Sequence, residues 1–185
     1  MSRIIVYTLV SADGVFSNPQ LVANVTTYRD DAYYRDGLGV LSASAAMLYG
    51  RKTYEAFSKT WPGRDHPWAD QMNRIKKYVF SNTLTEARWG DTTIVKGEVA
   101  GEARRLKEAT VGDLLMFGHT QLAETLVRAG LVDLLDISIH PMFLGSGGML
   151  VRDGLTADLT LVGAKVFSRI VKLSYAVSPT PRCDG

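Results

Sequence analysis

Gly50, Arg51, Lys52 and Thr53 follow the apolar run Ala45-Ala46-Met47-Leu48-Tyr49 and lead into an amphipathic segment that begins at Tyr54. That order fits a buried strand, a tight turn and a helix start. The first N–H groups of such a helix lack intrahelical partners and carry partial positive charge. Gly50 lets a ligand approach the backbone, Arg51 offers a planar charged fork and Thr53 a hydroxyl. Together they suit a phosphate group. An ordinary turn with a solvated arginine would use the same residue types, so this stretch alone leaves both readings open.

The same residue classes recur where other apolar runs end. Asp13-Gly14 closes Ile4 to Val10, Ser81-Asn82 closes the run from Lys77, Lys96-Gly97 follows Thr93 to Val95, and Gly118-His119-Thr120 follows Leu114 to Phe117. Glycine, hydroxyl and basic groups dominate that set. In open α/β sheets ligands sit beyond the carboxyl ends of the strands, so a phosphate-bearing cofactor is expected there. Ser81-Asn82-Thr83 would also serve as a plain polar turn, and Asp13-Gly14 as a turn-forming pair.

The elements that must position these residues follow from periodicity. Strands are predicted at Ile4 to Val10, Ser42 to Gly50, Lys77 to Ser81, Thr93 to Gly97, Leu114 to Gly118 and Leu134 to His140. Helices are predicted at about Thr27 to Leu41, Arg51 to Ser58, Pro67 to Arg74, Gly101 to Ala109, and from a Thr120 cap to a stop at Gly130. A glycine-rich stretch, Gly145-Ser146-Gly147-Gly148, precedes two late strands, Leu159 to Val166 and Arg169 to Val177, which pattern as an antiparallel pair at a sheet edge. This alternation predicts one α/β domain over residues 1–178, with a mostly parallel central sheet, helices on both faces and an antiparallel C-terminal strand pair. Residues 179–185 read as a loose tail.

Composition removes several function classes. The 185 residues carry 21 basic and 19 acidic side chains without a basic stripe, which argues against nucleic acid as a partner. Cys183 is the only cysteine, so neither a disulfide framework nor a cysteine-built metal centre is expected, and a reducing cytoplasm fits. The first apolar run is too short to span a membrane, and nothing at the start reads as a signal peptide.

Several of these stretches, in this order, resemble the dihydrofolate reductase-like superfamily. The nearer likeness is to the family typified by the C-terminal reductase domain of bacterial riboflavin biosynthesis. The residues that carry it are Ser11-Ala12-Asp13-Gly14, Leu48-Tyr49-Gly50-Arg51-Lys52-Thr53-Tyr54-Glu55, Trp61-Pro62, Lys77-Tyr78-Val79-Phe80-Ser81-Asn82-Thr83-Leu84, Gly130-Leu131-Val132-Asp133, His140-Pro141 and Leu144-Gly145-Ser146-Gly147. The resemblance implies a homodimeric, NADPH-dependent reductase that transfers hydride to a small heterocycle or carbonyl compound, after the manner of 5-amino-6-(5-phosphoribosylamino)uracil reductase. It implies that Gly50, Arg51, Lys52 and Thr53 meet the cofactor phosphates, with Ser81, Asn82 and Gly97 near the adenosine end. The second phosphate turn would be Phe117, Gly118, His119 and Thr120, continued by Gln121 and Leu122. Arg51 and Ser81, with no strand-end carboxylate before Glu86, favour NADPH over NADH.

The chain departs from the family at His119, at Leu134 and at Gly148-Met149, where a small residue, a glutamate and a basic pair are usual. It also lacks the zinc signature of the deaminase that often accompanies this reductase. For the reaction itself Asp13 is the candidate catalytic group, because it sits at a strand end. Asp30, Asp31 and Asp36 read as solvated charges on a helix face. A true dihydrofolate reductase and a nucleotide-binding dimer without activity are the alternative readings.

Overall fold

In the computed structural model the described residues are 2–118, 120–151 and 154–178. His119, the tail from 179 to 185 and Cys183 within it lie outside them. In chain order the elements are β1 (Ile4–Ser11), β2 (Val15–Ser17), α1 (Pro19–Tyr28), α2 (Asp31–Ala43), β3 (Ser44–Gly50), α3 (Arg51–Thr60), α4 (Pro67–Arg74) and β4 (Lys76–Phe80). Then come β5 (Thr92–Val95), α5 (Val99–Ala109), β6 (Asp113–Phe117), α6 (Gln121–Arg128), β7 (Leu134–His140), β8 (Gly148–Met149), β9 (Asp158–Val166) and β10 (Val171–Ser178).

Eight strands form one sheet in the order β5-β4-β3-β6-β1-β7-β10-β9. The first six in that row pair in parallel, and β10 is antiparallel to both β7 and β9. β1 lies between β6 and β7, which is why its run is apolar on both faces. Successive side chains leave a strand on opposite sides, so neighbours in sequence enter different layers. Ile4, Val6, Leu114 and Met116 pack with Leu106, Leu122 and Leu126 from α5 and α6. Ile5, Tyr7, Met47 and Leu115 pack with Leu41, Tyr54 and Met72 from α2, α3 and α4. Helices thus cover both faces.

The structure differs from the sequence reading in three places. The single helix expected over Thr27 to Leu41 is two helices, and α2 continues through Ser42 and Ala43 before β3 begins. Asn18 caps α1 ahead of Pro19, and Asp30 accepts a hydrogen bond from the Tyr33 N–H at 2.8 Å to start α2 afresh. The short strands β2 and β8 pair antiparallel where only loop was expected. Gly147 permits that contact, with φ 130° and a Cβ position that would lie 2.6 Å from the Ser17 carbonyl oxygen. Finally, Thr120 occupies the cap position of α6 but its hydroxyl makes no capping hydrogen bond.

Two charged groups act as fasteners. Asp133 accepts from the Ile4 N–H at 2.7 Å and from Lys107 Nζ at 2.5 Å, tying the start of β1 to α5. Lys77 is fully buried; its Nζ donates to the Asn73 and Ile75 carbonyls at 3.1 and 2.7 Å and lies 4.5 Å from the Trp89 ring centroid. Burial lowers its pKa to about 8.

Candidate functional site

Because β1 and β3 to β7 run the same way, their carboxyl ends share one edge of the sheet. Gly50, Ser81, Asn82, Gly97, Phe117, Gly118 and Thr120 all fall at that edge. Two helices begin there without a side-chain cap, α3 after Gly50 and α6 after Thr120. The Thr120 hydroxyl is buried and has no hydrogen-bond partner among the described residues. A Cβ on Gly50 would lie 3.8 Å from Leu122 Cβ, so the two helix starts stand side by side. Their unpaired N–H groups and the orphaned hydroxyl suit the oxygens of a pyrophosphate.

Arg51 reaches sideways from this point. Its Nε pairs with Glu55 at 2.6 Å and its Nη1 donates to Thr83 Oγ1 at 2.7 Å. Thr83 Oγ1 lies 3.5 Å from Ser81 Oγ, and that oxygen accepts from the Leu84 N–H at 2.9 Å. One guanidinium and two hydroxyls therefore gather beyond β4. Asn82 Oδ1 accepts from the Gly97 N–H at 2.8 Å, which binds the turn after β4 to the turn after β5. Lys52 and Gln121 are exposed and Thr53 is half-buried. The Leu122 side chain is buried in the core, so only its backbone N–H faces this edge. His119 lies outside the described residues. Thr83 was given no role of its own in the sequence reading, because a threonine in a polar turn carries no signal until Arg51 is seen against it.

Asp13 has a different task from the one its position suggested. One carboxylate oxygen accepts from Ser11 Oγ at 2.5 Å, and the other accepts from the Gly145 N–H at 2.7 Å and the Leu144 N–H at 3.1 Å. The Ser11 hydroxyl, with help from the Gly145 and Leu144 N–H groups, holds its pKa below the ordinary carboxylate value. An ionised acceptor with these partners has no proton to give. Asp13 pins the glycine-rich loop to the end of β1 and is a positioning residue.

The three acids of the second helix also separate. Asp31 is exposed, and Asp30 caps α2 while accepting from the Ser168 N–H at 2.8 Å. Asp36, read as solvated, has a largely buried side chain that pairs with Lys165 and Lys172. Burial pushes its carboxyl up, but the hydrogen bonds of the two lysines outweigh this and hold it below the usual range. Lys172 is itself buried and lies 3.8 Å from Asp136. Helical periodicity could not reveal these partners, which come from strands about 130 residues away.

His140, at the end of β7, is fully buried. Its Nδ1 lies 3.2 Å from the Ser138 carbonyl, and its ring stands edge-on to Tyr33 at 6.0 Å. Burial lowers its pKa against the pull of the Ser138 and Val10 carbonyls, which favours the neutral ring. An open groove of about 760 Å³ runs along α3 past Tyr54, Asn73 and Trp89. Glu55 and Leu84, the partners of Arg51 and Ser81, line it, whereas Gly50, Arg51, Ser81, Thr83, Gly118 and Thr120 do not. Among the described residues no group of three His, Cys, Asp or Glu side chains could hold a metal ion, and no helix is long and apolar enough to cross a membrane.

Comparison with known proteins gives the family and the fold. Residues 2–173 match the family described as the RibD C-terminal domain. The uncharacterized protein YyaP of Bacillus subtilis (strain 168) is 28% identical over 180 residues, covering 94% of each chain. The crystal structure of a Shewanella sp. PV-4 protein, assigned by its name to riboflavin biosynthesis, superposes with a TM-score of 0.77 at 18% identity, over 96% of this chain and 99% of that one. Dihydrofolate reductase from Enterococcus faecalis, solved with NADP(H), superposes with a TM-score of 0.59 at 12% identity, over 95% and 96% of the two chains. The fold is dihydrofolate reductase-like.

Proposed function

The chain belongs to the RibD C-terminal domain family, and from that premise we propose that it is an NADPH-dependent reductase acting on a small heterocycle or carbonyl compound. The observation that carries this reading is the meeting of Arg51, Thr83 and Ser81 beside the uncapped start of α3. A fork and two hydroxyls match the oxygens of a 2′-phosphate, whereas a site for NADH commonly offers a carboxylate to the ribose hydroxyls.

In this reading the N–H groups that open α3 and α6 hold the pyrophosphate, and Asn82 with Gly97 shapes the adenosine side. The bound cofactor supplies the hydride. The chain's own contribution is to hold donor and acceptor in contact and keep water from between them. Dihydrofolate reduction is the weaker choice: Asp36, the largely buried carboxylate of α2, is already engaged by Lys165 and Lys172.

Titration of protein fluorescence tests the cofactor. NADPH should bind more tightly than NADH by about tenfold or more, the equivalent of one good charge-assisted contact. Equal dissociation constants for the two would refute the proposal.

We also propose a homodimer formed through the late strands. On β9, Leu159, Leu161, Val162 and Val166 remain 45%, 55%, 57% and 81% exposed, and the outer edge of that strand is unpaired in the sheet. An apolar open edge favours pairing with another chain. Light scattering at micromolar protein should report twice the 20.3 kDa chain mass. A single species at the chain mass would contradict this.

A further inference from the structure

The strand order places the far end of the dinucleotide, provided the cofactor reading above holds. With adenosine at the turns after β4 and β5, and phosphates at the starts of α3 and α6, the nicotinamide falls beyond β6 and over β1. Three strand spacings of about 4.8 Å separate β4 from β1, roughly 14 Å in all, which suits an extended dinucleotide. On the α6 side Leu122, Ala123 and Leu126 are packed into the core. On the α2 and α4 side stands Trp68.

Trp68 occupies the first turn of α4. Its ring stacks on Phe117, the residue before Gly118, at 5.9 Å between centroids and 29° between planes. Tyr34 of α2 leans against it at 5.8 Å. Gly37, also on α2, has no room for a side chain: a Cβ there would lie 2.8 Å from Trp68 Cη2 and 3.0 Å from Cζ3. The indole is therefore a rigid wedge between α2 and the end of β6, and it remains half-exposed at the rim. Arg29 lies 5.3 Å from the Tyr34 ring, and the Tyr34 hydroxyl is 3.3 Å from His66 Nδ1, so the wall beside the wedge is also fixed.

We propose that Trp68 is the specificity-determining residue of the substrate subsite. A flat ring can pack against its exposed rim beside the nicotinamide, as aromatic groups favour. The wedge fixes how much ring can enter, because neither Gly37 nor Phe117 leaves it space to withdraw. Its chemistry selects a small planar acceptor and turns away fused ring systems.

The test uses ¹⁵N-labelled full-length protein, with the three indole N–H signals assigned by Phe substitution. NADP⁺ should shift the Trp68 indole signal, and adenosine 2′,5′-bisphosphate, which lacks the nicotinamide, should shift the Arg51 and Thr83 amides but not that indole. If NADP⁺ moves the Gly50 and Gly118 amides and leaves the Trp68 indole in place, the inference is overturned while the cofactor reading stands. If neither ligand moves any signal, the cofactor reading fails first. With NADP⁺ saturating, uracil, pterin and lumichrome then serve as one-, two- and three-ring probes. Trp68→Ala should raise affinity for the larger probes relative to uracil by about tenfold or more, the scale of discrimination a pocket wall provides. Gly37→Ala drives a methyl group into the wedge and should weaken uracil binding; it keeps the test open should Trp68→Ala fail to fold. The same probe ratios in wild type and both variants would overturn the assignment.

Discussion

Arg51→Ala should weaken NADPH binding by about 1.5–3 kcal/mol, which is at least about a tenfold loss of affinity, and change NADH binding far less. The guanidinium is already oriented by Glu55 and Thr83, so little further ordering is needed when a phosphate arrives. The energy comes from charge-assisted hydrogen bonds that only the 2′-phosphate can accept. Thr83→Val should act in the same direction with a smaller effect, since it removes one neutral donor. Isothermal titration of each variant with both cofactors reads the result. Parallel losses for NADPH and NADH would place Arg51 at the pyrophosphate instead of the 2′-phosphate.

Asp36→Ala should destabilise the fold by about 3–5 kcal/mol, because among the described residues it leaves the buried Lys172 ammonium with Asp136, 3.8 Å away, as its one counter-charge. Lys165 is largely exposed and should contribute little to that figure. Replacing all three buried charges, with Asp36→Leu, Lys172→Met and Asp136→Leu, should recover most of the loss, since an apolar cluster leaves no uncompensated charge. The pH dependence has a definite sign. The folded-state pKa of Asp36 is lowered, so its contribution is present in full above the unfolded value of about 4 and is lost as pH falls through the folded one. The gap between wild type and Asp36→Ala in urea unfolding should therefore be wide at neutral pH and close on acidification. A gap that stays constant into strong acid would show that the ion pair does not stabilise the fold.

The parallel sheet was legible because its strands are continuous apolar runs closed by glycine or polar turns, as at Leu114 to Gly118 and Leu134 to His140. The place of Gly50-Arg51 and Ser81-Asn82 at strand ends was legible for a related reason: glycine and polar residues close those apolar runs. What escaped depends on partners distant in sequence. Asp36 looks like any helix acid until β10 brings Lys172 beneath it. Trp68 looks like an ordinary first-turn residue until Gly37 and Phe117 close on it. Asp13 was read as a strand-end carboxylate and candidate catalytic group, and the backbone N–H groups it accepts from, at residues 144 and 145, lie too far along the chain to be read from its own neighbourhood. The break between α1 and α2 was missed although its signal was present, an aspartate at a cap position.

The place of β1 also bears on how the chain is made. The strand that everything else flanks is the first to leave the ribosome, yet both of its neighbours come late. Ile4 lines up with Leu114 on one side, and its N–H reaches Asp133 on the other, 129 positions along the chain. At synthesis rates of about 5–20 residues per second, that strand waits roughly 5–22 seconds for β6 and roughly 6–26 seconds for the start of β7. Until β6 emerges, Ile4 to Val10 is an almost wholly apolar segment without either of its sheet neighbours. Loop closure over such distances is slow as well as late. A nascent chain of this design therefore depends on being shielded until β7 emerges, and refolding from denaturant at high concentration should aggregate in proportion to the time β1 spends alone.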